Sequence, residues 1–187
     1  MKFRNYLSQV LVFILFWSCS GNQGSADGTE PNYFPVKDFM EVQAQKLSGR
    51  TLFKEVNVNG EKESSTKVLN EEDWLKELDF FIQADINRPA LASAYDTQKS
   101  ERFLIHELKE GEKGKVKKVI VEYVSGDIKQ ISFQSKTENP FYTSQTRGVV
   151  ILHGLTGQID NFAVETIQEV IFSKPNKIVI SAHIKEE

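Results

Sequence analysis

The 187-residue chain is long enough for one domain with a hydrophobic core of its own. It has 23 Lys and Arg against 26 Asp and Glu, and its net charge of −3 at pH 7 argues against a nucleic-acid partner, whose phosphates bind cations. Hydrophobic residues make up 40% and charged residues 26%, a composition typical of folded globular proteins rather than disordered chains. The single cysteine excludes an intrachain disulfide and a cysteine-based metal cage.

The N-terminus has the order of features found in an export signal. Lys2 and Arg4 precede an apolar stretch from Leu7 to Trp17, which is shorter than the roughly 20 apolar residues that cross a bilayer as a helix. The only cysteine, Cys19, lies where an exported chain would be cut. We therefore predict that residues 1–18 are a lipoprotein signal peptide and that Cys19 is lipidated, since two or three acyl chains anchor a protein stably. A plain signal peptide and an uncleaved anchor helix are the alternatives.

The segment that begins with Cys19 has the composition of a linker. Residues 19–32 are rich in Gly, Ser, Asn and Asp and have almost nothing to bury, so they are predicted to form a flexible tether. The first acidic residue after the cysteine is Asp27, whereas some surface-exported lipoproteins carry acidic residues directly after it. We therefore expect a cell-envelope protein that is lipid-anchored in the outer membrane and faces the periplasm. Residues 33–187 are predicted to form a single domain.

Two helices are predicted at the start of this domain. Apolar residues recur at helical spacing over 36–47. The second helix, near 70–84, begins with Asn70 as its N-cap, and Leu69 and Trp74 occupy the two positions of a hydrophobic staple. Trp74 is therefore predicted to lie in the core and not on a ligand-stacking surface.

The C-terminal half is predicted to form strands. From Glu101 onward apolar residues alternate with polar ones, as in strands that bury one face. Asn59-Gly60 and Ser125-Gly126 are predicted hairpin turns. The segment Phe162–Phe172 fits either a helix or a long bulged strand, and we favour the strand. The predicted fold class is α+β, with two N-terminal helices packed on a predominantly antiparallel β-sheet.

Three segments together resemble a group of known sequences. They are Leu15–Cys19, which resembles a bacterial lipobox, Trp74–Tyr95 (WLKELDFFIQADINRPALASAY) and Val170–Ile180 (VIFSKPNKIVI). Together these segments look like a family of uncharacterised lipoproteins of the Bacteroidota, and Asp85–Ala90 (DINRPA) is the most specific part. The resemblance implies an envelope location and no particular activity.

The sequence contains no pattern that indicates catalysis or metal binding. His106, His153 and His183 lie on three separate predicted strands, without the spacing that holds two histidines on one metal ion. The stretch Val149–Gly157 looks like the strand and His-Gly turn of an α/β-hydrolase, but the chain has no G-x-S-x-G nucleophile motif. We therefore predict no catalytic residue, no metal site and no cofactor.

The candidate binding residues are Asp85, Asn87 and Arg88, in a polar loop at the end of the second helix. This loop fits a partner-binding site, and it fits equally a helix stop whose Asp and Asn satisfy local backbone groups. The expected function is a non-enzymatic binding or interaction module, held at the membrane by its N-terminal lipid and contacting an envelope protein or a lipid ligand. The alternative is an envelope enzyme with an unidentified carboxylate or histidine site.

Overall fold

The computed structural model describes residues 33–185. Residues 31–187 form one compact unit, and the hydrophobic core of the described residues lies within it. We therefore expect this unit to fold independently. The predicted signal peptide (1–18), the predicted tether (19–32) and Cys19 lie outside the described residues. Within the described part of the chain, no helix is long and apolar enough to cross a membrane.

The described residues contain three short α-helices, one 3₁₀ turn and nine β-strands. The helices are α1 (Val36–Leu47), α2 (Glu71–Glu77) and α3 (Asp79–Ile82), and the 3₁₀ turn spans Pro89–Leu91. The strands are β1 (Thr51–Val58), β2 (Glu61–Val68), β3 (Tyr95–Lys99), β4 (Phe103–Leu108), β5 (Val116–Val124), β6 (Asp127–Asn139), β7 (Tyr142–Leu152), β8 (Ile159–Val170) and β9 (Asn176–Ile184).

All nine strands belong to one sheet with the order β2-β1-β9-β8-β7-β6-β5-β4-β3. Each neighbouring pair is antiparallel, and from β3 to β9 every strand pairs with the next one in the chain. Strand β1 pairs with β9, so the N-terminal hairpin β1–β2 extends the sheet that the later strands form. The two edge strands, β2 and β3, expose most of their side chains, and their polar sequences suit an edge.

The predicted fold class is wrong. Instead of two N-terminal helices packed on a sheet, the protein is mostly a nine-stranded antiparallel sheet, with three short helices and about 17% helix. The first helix lies at residues 36–47, and the helix predicted near 70–84 is interrupted at Leu78, where the backbone turns out of the helix (φ −89°, ψ 2°) between α2 and α3. The sheet is larger than predicted because it also includes the early hairpin and the polar edge strand β3.

Several local predictions are confirmed. Asn59 and Gly60 both adopt positive φ, as a tight hairpin turn between β1 and β2 requires. The side chain of Asn70 accepts a hydrogen bond from the Asp73 amide at 2.9 Å, which caps α2. Trp74 is completely buried. The ambiguous segment is a strand, since β8 spans Ile159–Val170.

The helices cover one face of the sheet and form the core with it. Phe81 of α3 meets Phe133 of β6 and Phe162 of β8 edge to face, with ring centroids 5.4 and 6.2 Å apart. Phe133 lies across Gly148, its cross-strand neighbour in β7. A Cβ atom on Gly148 would stand 2.3 Å from Cε1 of Phe133, so this pairing depends on the absence of a side chain at Gly148.

Candidate functional site: the open face of the sheet

The face of the sheet opposite the helices is only partly covered. Residues alternate along each strand, so Val119, Ile131 and Val164 point to the helices and are buried, while their neighbours Ile120 and Ala163 point the other way and are partly exposed. We call this second side the open face. It crosses the middle strands of the sheet, β5 to β9.

A cleft of about 320 Å³ lies on the open face, at the lower end of the size range of small-molecule sites. Its floor is apolar and is formed by four side chains from four strands: Ile120, Val149, Ala163 and Val179. Three of these residues stand in one cross-strand row, because Ile120 pairs with Ser132, Ser132 with Val149, and Val149 with Ala163. The cleft is therefore an apolar strip set across the strands, with the polar Ser132 between Ile120 and Val149.

Charged side chains border this strip on one side, and two of them are already paired. Lys118 lies 3.2 Å from Glu107, and Glu165 lies 2.7 Å from Lys177. The hydrogen bond from Lys177 lowers the pKa of the Glu165 carboxyl, with smaller contributions from the positive charges of Lys177 and Arg147. Glu165 is therefore held as a carboxylate, which does not suit it to act as a general acid near neutral pH.

Among the described charged residues that line the cleft, Arg147 is the one that is not part of an ion pair. Its cross-strand neighbours are Gln134 and Glu165, both of which also line the cleft. Among residues 33–185, no carboxylate forms an ion pair with the Arg147 guanidinium, and Glu165, whose pKa the charge of Arg147 helps to lower, is bonded to Lys177. An exposed guanidinium beside an apolar floor is suited to bind a carboxylate or phosphate attached to an apolar body.

The predicted loop residues Asp85 and Asn87 lie elsewhere, under the start of the described chain. Asp85 accepts hydrogen bonds from the amides of Lys37 (3.0 Å) and Asn87 (2.8 Å). Asn87 accepts from the Tyr33 amide (3.1 Å) and donates to the carbonyl of Phe34 (3.2 Å). Both side chains thus bind the backbone at the entry to α1, where the described chain follows the predicted tether.

Arg88, the third predicted loop residue, is exposed beside the same entry segment. The pKa of the nearby Tyr95 is raised to about 12, mainly by burial and also by the neighbouring Tyr33. The positive charge of Arg88 lowers the pKa of Tyr95, but by less. Tyr95 donates its hydroxyl to the Val116 carbonyl at 2.8 Å, so the residue is a structural contact between strands. The partner-binding role of Asp85, Asn87 and Arg88 stays a prediction, and none of the three lines the cleft.

His106 belongs to the same entry region. It is buried on the covered face, and burial lowers its pKa. Its Nε2 atom accepts a hydrogen bond from the Phe34 amide at 3.1 Å, and its Nδ1 atom lies 2.9 Å from the Thr97 hydroxyl. Because Nε2 accepts, the neutral ring carries its proton on Nδ1, which then donates to Thr97. His106 therefore stabilises the start of the domain.

The other two histidines are far from this position. His153 is exposed in the β7–β8 loop, and His183 is exposed on the open face, stacked at 4.9 Å on Phe53. Among the described residues, no group of three His, Cys, Asp or Glu side chains could hold a metal ion.

The sequence reasoning missed the cleft and Arg147. The run Val149-Val150-Ile151 is apolar at every position, so it gave no indication that Val150 faces the helices while Val149 faces the cleft. Arg147 precedes Val149 by two residues and therefore shares its face. That periodicity was the available signal, and it becomes informative only once the covered face is known.

In comparisons with known proteins, no protein-family model matches the sequence and no curated protein matches it.

Proposed function

We propose that the protein is a membrane-anchored lipoprotein of the cell envelope and acts as a non-enzymatic binding module. The predicted export signal and Cys19 support the anchor, and the absence of an acidic residue between Cys19 and Asp27 supports a position in the outer membrane that faces the periplasm. The open face supplies the binding surface. The observation that carries this proposal is the apolar cleft with Arg147 at its border, a guanidinium that forms no ion pair with a carboxylate among residues 33–185.

The chemistry of the cleft favours a small acidic amphiphile as its ligand. The floor of Ile, Val and Ala side chains gains free energy by covering an apolar chain, at about 25 cal/mol for each Å² removed from water. Arg147 can bind a carboxylate or phosphate head group through two parallel N–H donors. A lipid-derived ligand of this kind agrees with a protein that is anchored beside a membrane.

The test uses dodecanoate as the probe and isothermal titration calorimetry of residues 31–187. We expect saturable binding, and about a tenfold loss of affinity in Arg147→Gln, since a hydrogen bond to a charged group contributes about 1.5–3 kcal/mol. The matched control is Lys46→Gln, which removes an exposed cation from α1 on the covered side. Ala163→Asp should also weaken binding, because it puts a carboxylate into the floor.

Two results would contradict the proposal. One is the absence of saturable dodecanoate binding, and the other is an equal effect of Arg147→Gln and Lys46→Gln. Dodecanol, which has the same chain without the charge, provides a second control. We expect the unmodified protein to bind dodecanol more weakly than dodecanoate, and we expect Arg147→Gln to bind dodecanol as tightly as the unmodified protein does.

A further inference from the structure

Two turns at one end of the sheet expose large apolar side chains. Phe141, in the β6–β7 turn, is 71% exposed, and Phe172, in the β8–β9 turn, is fully exposed. Val170 and Ile171, beside Phe172, are each nearly half exposed. The Ile171 amide donates to the Phe141 carbonyl at 3.1 Å, which joins the two turns into one patch. We call these four residues the apolar tip.

The backbone of the apolar tip is as unusual as its exposure. Phe172 has φ +65°, in the left-handed region that glycine and asparagine adopt readily and that is costly for a bulky aromatic residue. The folded domain in water therefore gains nothing from a phenylalanine here, either from burial or from conformation. Contiguous exposed apolar residues of this kind are typical of surfaces that contact a protein partner or a membrane.

The described chain begins beside strands β3 and β4, short of the end of the sheet that carries the apolar tip, since the Phe34 amide donates to His106, which lies in one cross-strand row with Val119 and Phe133. The Tyr33 hydroxyl accepts a hydrogen bond from the Tyr95 amide at the start of β3, and the Tyr95 hydroxyl donates to Val116 at the start of β5. Val116 pairs with Ser135 of β6, and β6 continues for four more residues to Asn139. At about 3.3 Å per residue, the β6–β7 hairpin extends roughly 13 Å beyond the level of Val116.

The length of chain before residue 33 limits what can cover the apolar tip. About 14 residues separate Cys19 from Tyr33, and a flexible chain of that length has a typical end-to-end distance of about 20 Å. This length is sufficient for a lipid on Cys19 and the apolar tip to reach the same bilayer. Lys174, two residues after Phe172, adds a cation where anionic head groups would lie.

We propose that the apolar tip inserts into the interfacial region of the bilayer that carries the lipid anchor. Phe141 and Phe172 enter the boundary between head groups and acyl chains, a depth of about 5–10 Å that single side chains at turns can reach. Insertion fixes the orientation of the domain, with the strands pointing away from the membrane and the open face accessible from the side. The inference rests on the proposed function for the position of the anchor, and on the described residues for the tip itself.

The first experiment measures depth in the mature lipoprotein, purified with its lipid and reconstituted into vesicles of phosphatidylethanolamine and phosphatidylglycerol. Phe172→Trp places a fluorophore in the apolar tip, and Leu155→Trp places one at an equally exposed site (93%) in the β7–β8 loop, at the opposite end of the sheet. Lipids with brominated acyl chains should reduce the fluorescence of the first variant about twofold and leave the second unchanged. An unquenched Trp at position 172, or equal quenching at both positions, overturns the proposal and leaves a protein partner as the occupant.

The second experiment tests the apolar tip in a fragment that lacks the lipid anchor. Residues 31–187 are mixed with the same vesicles, and the bound fraction is measured by flotation. We expect the double variant Phe141→Ser/Phe172→Ser to bind at least about tenfold more weakly than the unmodified fragment, while Leu155→Ser binds equally. Equal binding of all three overturns the proposal. If none binds, the quenching result decides, because an anchored tip needs less intrinsic affinity than a free one. An unmodified Cys19 would refute the anchor alone, since this fragment tests the tip without it.

Discussion

The contact between Gly148 and Phe133 predicts a large effect for a very small substitution. In Gly148→Ala the new methyl group would lie 2.3 Å from Cε1 of Phe133 and 3.0 Å from its Cζ, well inside van der Waals contact. The ring cannot move aside freely, because it is buried and packs on Phe81 at 5.4 Å. Gly148 does not have a positive φ, so alanine brings no backbone strain and the whole cost is overpacking. We expect a destabilisation of about 2–3 kcal/mol, near the upper end for such insertions.

Urea unfolding of residues 31–187 measures this cost, and Gly154→Ala is the matched control. A Cβ atom on Gly154 meets nothing within 4 Å, and Gly154 does not have a positive φ either, so its substitution should change stability by less than about 0.5 kcal/mol. Phe133→Leu should partly relieve Gly148→Ala, so that the double variant is more stable than the sum of the single effects indicates. A Gly148→Ala protein with the same urea midpoint as Gly154→Ala would refute the packing described for this face.

Three further predictions concern single residues. Trp74→Ala should destabilise the domain by roughly 3–5 kcal/mol, because Trp74 is completely buried, and an unchanged urea midpoint would contradict its role in the core. Burial holds the pKa of His106 below its usual value of 6.5, so the unfolded chain binds a proton at a higher pH than the folded protein does. The stability due to neutral His106 is therefore complete above about pH 6.5. It is lost as the pH falls from there toward the lower pKa of the folded state. Urea midpoints between pH 7.5 and pH 5 should show this decline, and His106→Gln should lack that part of it; an identical decline in both proteins would argue against the buried neutral ring. Mass spectrometry of the protein from membranes should find an acylated N-terminus at Cys19, and an intact Met1 or an unmodified Cys19 would contradict the anchor.

The sequence predicted those parts of the fold that depend on neighbouring residues. The cap on α2 needs only Asn70 and the amide three residues later, and the β1–β2 turn needs only Asn59 and Gly60. The pairing of β1 with β9 could not be predicted in this way, because it joins Leu52 to Ile184, which are far apart in the chain. Nothing in the sequence of either strand identifies the strand with which it pairs. This is one reason why the fold class was wrong, since without that pairing the early hairpin lies apart from the sheet; the other is that the predicted second helix is two short helices.

The candidate site shows the same limit. Alternation in β7 places Arg147 and Val149 on one face, and this could be read from the sequence. Which face the helices leave open depends on tertiary contacts such as that between Phe81 and Phe133, which are 52 positions apart and belong to different elements. Likewise, Asp85 and Asn87 look like free polar loop residues in the sequence, and only the fold shows that they bind the backbone near Tyr33.

Amide NMR spectra of residues 31–187 during a dodecanoate titration test most directly whether the open face binds a small acidic amphiphile. We expect saturable shifts that cluster at Ser132, Arg147, Val149 and Ala163, the residues in and beside the apolar strip, and that need about tenfold more dodecanoate for half-saturation in Arg147→Gln. Spectra that do not change, or shifts confined to the apolar tip or to the covered face, would contradict the claim.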